Sequence, residues 1–121
     1  MGTARLLLFA VAAWTAATGC TDDPRQRPLT WSYLHAAIIA PSCATQSCHS
    51  SLAATAGLTL DDADTAYDQL IARDFVVPGD PASALMSLLG GDERRRMPPD
   101  APLPHADIEL IRAWIEEGSP R

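Results

Sequence analysis

Two thiols and an imidazole fall within the seven residues Cys43-Ala44-Thr45-Gln46-Ser47-Cys48-His49, and nowhere else in the 121-residue chain are soft ligands packed so closely. A chain of this length holds one small domain. Small domains bury a modest fraction of their surface and are often stapled by a disulfide, a metal or a cofactor. The aromatic content sharpens that constraint. There are three Trp, two Tyr and two Phe, and Phe9 and Trp14 lie in an N-terminal stretch that reads as a removable leader. The heptad is therefore where extra stabilisation must enter, and the rest of the chain reads as short helices folded back over it.

Residues 1–19 carry one charge, Arg5, then an apolar run from Leu6 to Trp14, then small residues. That is the layout of a secretory signal peptide, with an apolar run too short to span a bilayer as a helix. Ala17-Thr18-Gly19 ahead of Cys20 resembles a lipobox. It implies cleavage before Cys20, a lipid anchor on that residue, and a mature protein on the periplasmic side of a bacterial membrane. Residues 20–29 are polar, include Pro24 and Pro28, and read as a flexible tether to a domain at 30–118. The net charge is −6 and there is no lysine, which argues against nucleic acid and anionic lipid head groups as partners. An acidic surface suits docking on a basic protein and equally a solvated exterior.

Apolar spacing predicts an all-α fold of about four short helices. Thr30 caps the first, whose stripe is Trp31, Leu34, Ile38 and Ile39, and Pro41 is expected to end or kink it just before the heptad. Residues 50–57 read as loop, and Leu58 to Leu60 as a short extended segment at most. Asp61 or Asp62 caps a second helix bearing Ala63, Tyr67, Leu70 and Ile71. After a turn at 76–79, Asp80-Pro81 reads as the start of a third helix with Leu85, Met86, Leu88 and Leu89, stopped by Gly90-Gly91. Residues 92–104 hold Arg94-Arg95-Arg96, then Met97-Pro98-Pro99, then Pro102 and Pro104, a density of proline that excludes helix and central strand. A last helix from about His105 to Glu117 carries Ile108, Ile111 and Ile115 flanked by Leu110 and Trp114. Asp107 and Glu109 lie in its first turn and Gly118 serves as its cap.

Three chemistries suit the heptad. Zinc would need a fourth ligand beyond Cys43, Cys48 and His49, supplied by His35 or His105, and adjacent Cys-His side chains converge poorly on one ion. A Cys43–Cys48 disulfide in an exported protein with a structural or binding role closes a very short loop and leaves His49 without a purpose. Covalent haem attachment uses all three residues: two thioethers to one haem c and an adjacent histidine under the iron. Haem also calls for a second axial donor. Met97 is the candidate, because a methionine in a proline-stiffened loop differs from a stripe methionine such as Met86. His35 beside the apolar stripe reads as a surface or supporting residue, and His105 as an exposed first-turn residue. The arginines at 94–96 suit haem carboxylates and a solvated run equally. No acid–base pair or nucleophile constellation marks an enzyme.

The order of these parts resembles a class I c-type cytochrome domain, and more closely the small cytochrome-c-like domains of exported bacterial proteins. The resemblance spans 30–118: Cys-x4-Cys-His at 43–49, Gly-Leu-x-Leu at 57–60, Val-Pro-Gly-Asp-Pro at 77–81, Arg-Met-Pro-Pro at 96–99 and Trp-Ile-x-x-Gly at 114–118. It implies a single-electron carrier serving a redox partner protein, with thioethers at Cys43 and Cys48 and axial ligands His49 and Met97. It further implies that Trp31, Leu34 and Ile38 of the first helix pack on Ile111, Trp114 and Ile115 of the last.

Overall fold

The structure, a computed structural model, describes residues 26–121. The leader at 1–19, Cys20 and the first part of the tether lie outside the described residues. Within them the chain is all-helical, as the periodicity predicts. Helix α1 comprises α-helical Trp31–Leu34, a π-helical stretch His35–Ile39 and α-helical Ala40–Cys43; α2 is Ala63–Ala72, α3 is Ala84–Leu89 and α4 is His105–Glu116. None of these helices is long and apolar enough to cross a membrane.

Local chemistry accounts for most of the boundaries. The Thr30 hydroxyl accepts from the Tyr33 amide and starts α1. Asp62, not Asp61, caps α2 by accepting from Thr65 N–H at 2.8 Å. The helix α4 ends in a paired motif: Gly118 N–H donates to Ile115 O, and Ser119 N–H to Trp114 O. Gly118 takes φ +91, a conformation that a side chain disfavours.

Two expectations are corrected in part, for identifiable reasons. Pro41 does not end α1. The helix widens instead, so that Ala40 N–H donates to His35 O five residues back, and it runs on to Cys43 with Pro41 in the last turn. A wider turn just before proline accommodates the missing donor and the ring without breaking the helix. Helix α3 starts three residues later than the Asp80-Pro81 signal suggests. The Asp80 carboxylate takes Ala82 N–H, and the buried Ser83 hydroxyl donates to Asp80 O at 2.6 Å while accepting from Val77 N–H at 2.9 Å. These bonds close a compact turn that takes up the donors a first helical turn would offer.

Trp31, Tyr67 and Trp114 bring α1, α2 and α4 together. Their ring centroids lie 5.4 Å (Trp31–Trp114), 5.6 Å (Trp31–Tyr67) and 6.3 Å (Tyr67–Trp114) apart. Every polar tip is satisfied by a carbonyl: Trp31 Nε1 donates to Ala63, Trp114 Nε1 to Pro120, and Tyr67 OH to Ser119. Leu34, Ile38, Ile111 and Ile115 are buried in the same core, so the first helix meets the last as the resemblance implied. The ends are tied down as well. Arg27 pairs with Asp107 and donates to Tyr33 OH, while Arg121 pairs with Asp68 over the Tyr67 ring. Truncating Trp114, which is 1 % exposed, removes the centre of this cluster. Trp114→Ala is expected to lower unfolding free energy by about 3–5 kcal/mol, measured by chemical denaturation.

Candidate cofactor site

The last turn of α1 delivers Cys43, and the heptad then closes on itself. Cys48 N–H donates to Thr45 O at 3.0 Å, and His49 N–H returns to Cys43 O at 3.1 Å. The four residues between the cysteines are taken up by this turn, so the first and last members of the heptad are joined through the backbone. Ser50 secures it: its buried hydroxyl donates to Gln46 O and accepts from Ala53 N–H. The next loop is anchored by Asp61, which accepts Ser51 N–H at 2.8 Å. The Ser51 side chain, and secondarily this N–H, hold the Asp61 carboxyl below its ordinary value.

The imidazole of His49 has a defined role in this geometry. Nδ1 lies 3.1 Å from Thr55 O. A carbonyl can only accept, so Nδ1 carries a proton, and in the neutral tautomer this selects, the lone pair is on Nε2. Thr55 is held in turn by donating its own N–H to Cys48 O. The turn that presents Thr55 is strained, with Ala54, Ala56 and Gly57 at φ 43, 57 and 69. Left-handed alanines persist only where the surroundings enforce them, and such strain concentrates at functional sites.

Cys43, Cys48, His49 and Met97 all line one cavity of about 380 Å³. That volume falls in the range of roughly 300–1,000 Å³ common for small-molecule sites. Its walls are apolar: Leu58 and Leu60 after the heptad, Leu70 and Phe75 from the region of α2, and Leu85, Leu88 and Leu89 from α3. Those leucines explain why so short a helix as α3 is apolar on several faces, since Met86 points to the core while its neighbours face the cavity. Both thiols are free. Burial, and secondarily the charge of Cys48, pushes the Cys43 thiol up to about 11.

Met97 reaches the cavity from the proline-rich loop. Its N–H donates to Leu88 O at 3.0 Å, which pins the loop to α3. Gly91 permits the reversal, because a Cβ there would stand 3.0 Å from Ser87 O. Arg96 folds over the same loop, with Nε to Pro98 O at 3.4 Å and Nη2 to Pro99 O at 3.3 Å. Arg94 and Arg95 are exposed, and none of the three arginines lines the cavity. Arg73, which sequence reasoning passed over, is the charged side chain that does.

The other two histidines part company. His105 is an exposed first-turn residue, as expected, 3.9 Å from Glu109. His35 takes the supporting place, and not the surface one, of the two the sequence offers it. It is buried against Trp31, and its Nε2–H donates to Leu60 O at 2.9 Å. Leu60 N–H donates to His49 O at 2.6 Å, so His35 holds the segment on which His49 hangs. Gln69 helps by bonding Thr59 through both its amide atoms. Among the described residues there is no cluster of three or more His, Cys, Asp or Glu side chains placed to hold a metal ion.

A family model described as Planctomycete cytochrome C matches residues 46–101, just under half of the chain. No curated protein and no solved structure matches. The matched span contains Cys48, His49 and Met97 and begins after Cys43. Two outcomes follow from the geometry. In haem-free protein, alkylation of Cys43 should keep accelerating up to about pH 11, read by mass spectrometry of the heptad peptide. His35→Leu leaves the Leu60 carbonyl unpaired and should destabilise the fold by about 1–3 kcal/mol in a urea titration, with His35→Gln recovering much of it. The family match, the four donors on one apolar cavity and the all-helical fold together support a cytochrome-c-like, haem-binding domain.

Proposed function

We propose that the protein is a monohaem c-type cytochrome domain that carries single electrons outside the cytoplasm, acting as a carrier and not as an enzyme. Cys43 and Cys48 would hold one haem c through thioethers, and His49 and Met97 would ligate its iron. The observation that carries this reading is the state of His49. Its Nδ1–H is committed to Thr55, which leaves Nε2 as a donor on the wall of an apolar cavity that also bears both thiols and the Met97 thioether. Two thiols, a neutral imidazole and a thioether are the donor set that haem c requires, so the residues fit the group.

When bound, haem supplies an iron that takes up and releases one electron. The chain does the rest by holding and shielding. The Thr55 carbonyl fixes the tautomer of His49 and raises its basicity toward the metal. Leucines from three segments keep water away from the macrocycle, and burial with methionine ligation favours a raised reduction potential. The Arg96 bonds to Pro98 O and Pro99 O stiffen the loop that presents Met97. A lipid on Cys20 would keep the domain at the periplasmic face of a membrane, within reach of a redox partner protein.

Protein produced with a c-type maturation system should be red, and the peptide spanning 43–49 should carry haem in a mass spectrum. A colourless product with that peptide unmodified, or with Cys43 and Cys48 joined as a disulfide, would sink the proposal. Met97→Ala should bind haem but lose the methionine–iron absorption band; if the band survives, another residue ligates that face.

A further inference from the structure

Arg27, Arg112 and Arg121 each pair with a carboxylate, whereas Arg73 has no carboxylate partner among the described residues. Among the described residues Arg94, Arg95 and Arg96 are likewise without a carboxylate partner, but of these four Arg73 alone lies on the wall of the apolar cavity. The guanidinium is nonetheless fixed in place. Nη1 donates to Gly57 O and Nη2 to Ala56 O, both at 3.1 Å, and the group lies over the Phe75 ring at 5.4 Å from its centroid. These bonds brace the strained turn whose Thr55 carbonyl holds His49. They use two of five N–H donors, leaving three for an outside acceptor.

We propose that Arg73 binds a carboxylate of the cavity's ligand, so that the site accepts a macrocycle with an apolar body and a carboxylate edge in one orientation. The proposal rests on the haem reading given above and names the residue that recognises the anionic edge. Arg73 is solvent-exposed while leucines line the interior. A carboxylate beside Arg73 stays partly hydrated and meets a planar donor suited to it; turned inward, it would lose water and find only apolar walls. The arginine run at 94–96, which the sequence offers equally for this task and as a solvated run, does not line the cavity.

The test is the pH dependence of the reduction potential of the haem-loaded protein. With Cys43 and Cys48 as thioethers and His49 on iron, the other titratable groups on the cavity wall are taken up. A step in potential then reports the haem carboxylate. An ionised carboxylate stabilises the oxidised iron, so the potential falls as pH rises through its pKa. Arg73→Gln should move that step upward by about one pH unit, a roughly tenfold weaker ionisation. Arg73→Lys, which keeps the charge, should stay near wild type. Loss of the brace alone would not move this step. Should the glutamine variant fail to load, infrared difference spectra of wild type on reduction decide: a carboxylate that stays ionised across the neutral range supports the proposal, and one that titrates there overturns it. Loaded Arg73→Gln with a wild-type pH profile also overturns it, leaving Arg73 as a brace and the haem reading intact. Wild-type protein without haem overturns the parent reading and this one with it.

Discussion

The contact of Trp31, Tyr67 and Trp114 is the interaction on which the rest of the structure depends. A small chain with few large side chains cannot surround a cavity of about 380 Å³ and also build a broad core. It concentrates three of its aromatics where α1, α2 and α4 meet, and each finds a carbonyl for its polar atom. The apolar area gathered there lets the other half of the domain remain hollow. The leucines around the cavity would then be stabilised by a ligand in place of one another.

From that core the site is held by backbone carbonyls more than by side-chain pairs. His49 N–H goes to Cys43 O, His49 Nδ1–H to Thr55 O, His35 Nε2–H to Leu60 O, and Arg73 to Ala56 O and Gly57 O. Each bond links a segment of the 43–60 region to itself or to a helix. Together they enforce a turn with two left-handed alanines that would not persist alone. The arrangement leaves an imidazole with its ring tethered to a backbone carbonyl on the cavity wall.

The family match divides the molecule in an informative way. Residues 46–101 hold nearly all of the cavity wall, from Ser47 to Pro99, but neither α1 nor α4. The two tryptophans of the aromatic contact lie outside the matched span. Likeness to the family therefore resides in the cavity-lining part of the domain, while the helices that clamp it carry the match no further. Cys43 belongs to α1 and falls outside as well. Its place in the site rests on the backbone loop that joins it to His49.

Much was legible from the residues alone: four helices, the cap at Thr30, a cap at Asp61 or Asp62, the Gly118 terminus and the loop status of Met97. These follow from interactions between near neighbours and from apolar periodicity, which a linear sequence records. The folded chain decided other matters. Pro41 sits inside α1 because packing of Leu34, Ile38 and Ile39 rewards a widened turn over a broken one. His35 turned inward, Ser50 and Ser83 became latches, and Arg73 rather than Arg94–Arg96 came to the cavity wall. In every one of these cases the partner is a backbone carbonyl or an assembled apolar surface. Every residue has a carbonyl, so a donor's choice of acceptor leaves no mark on residue type, and only the three-dimensional path of the chain selects it.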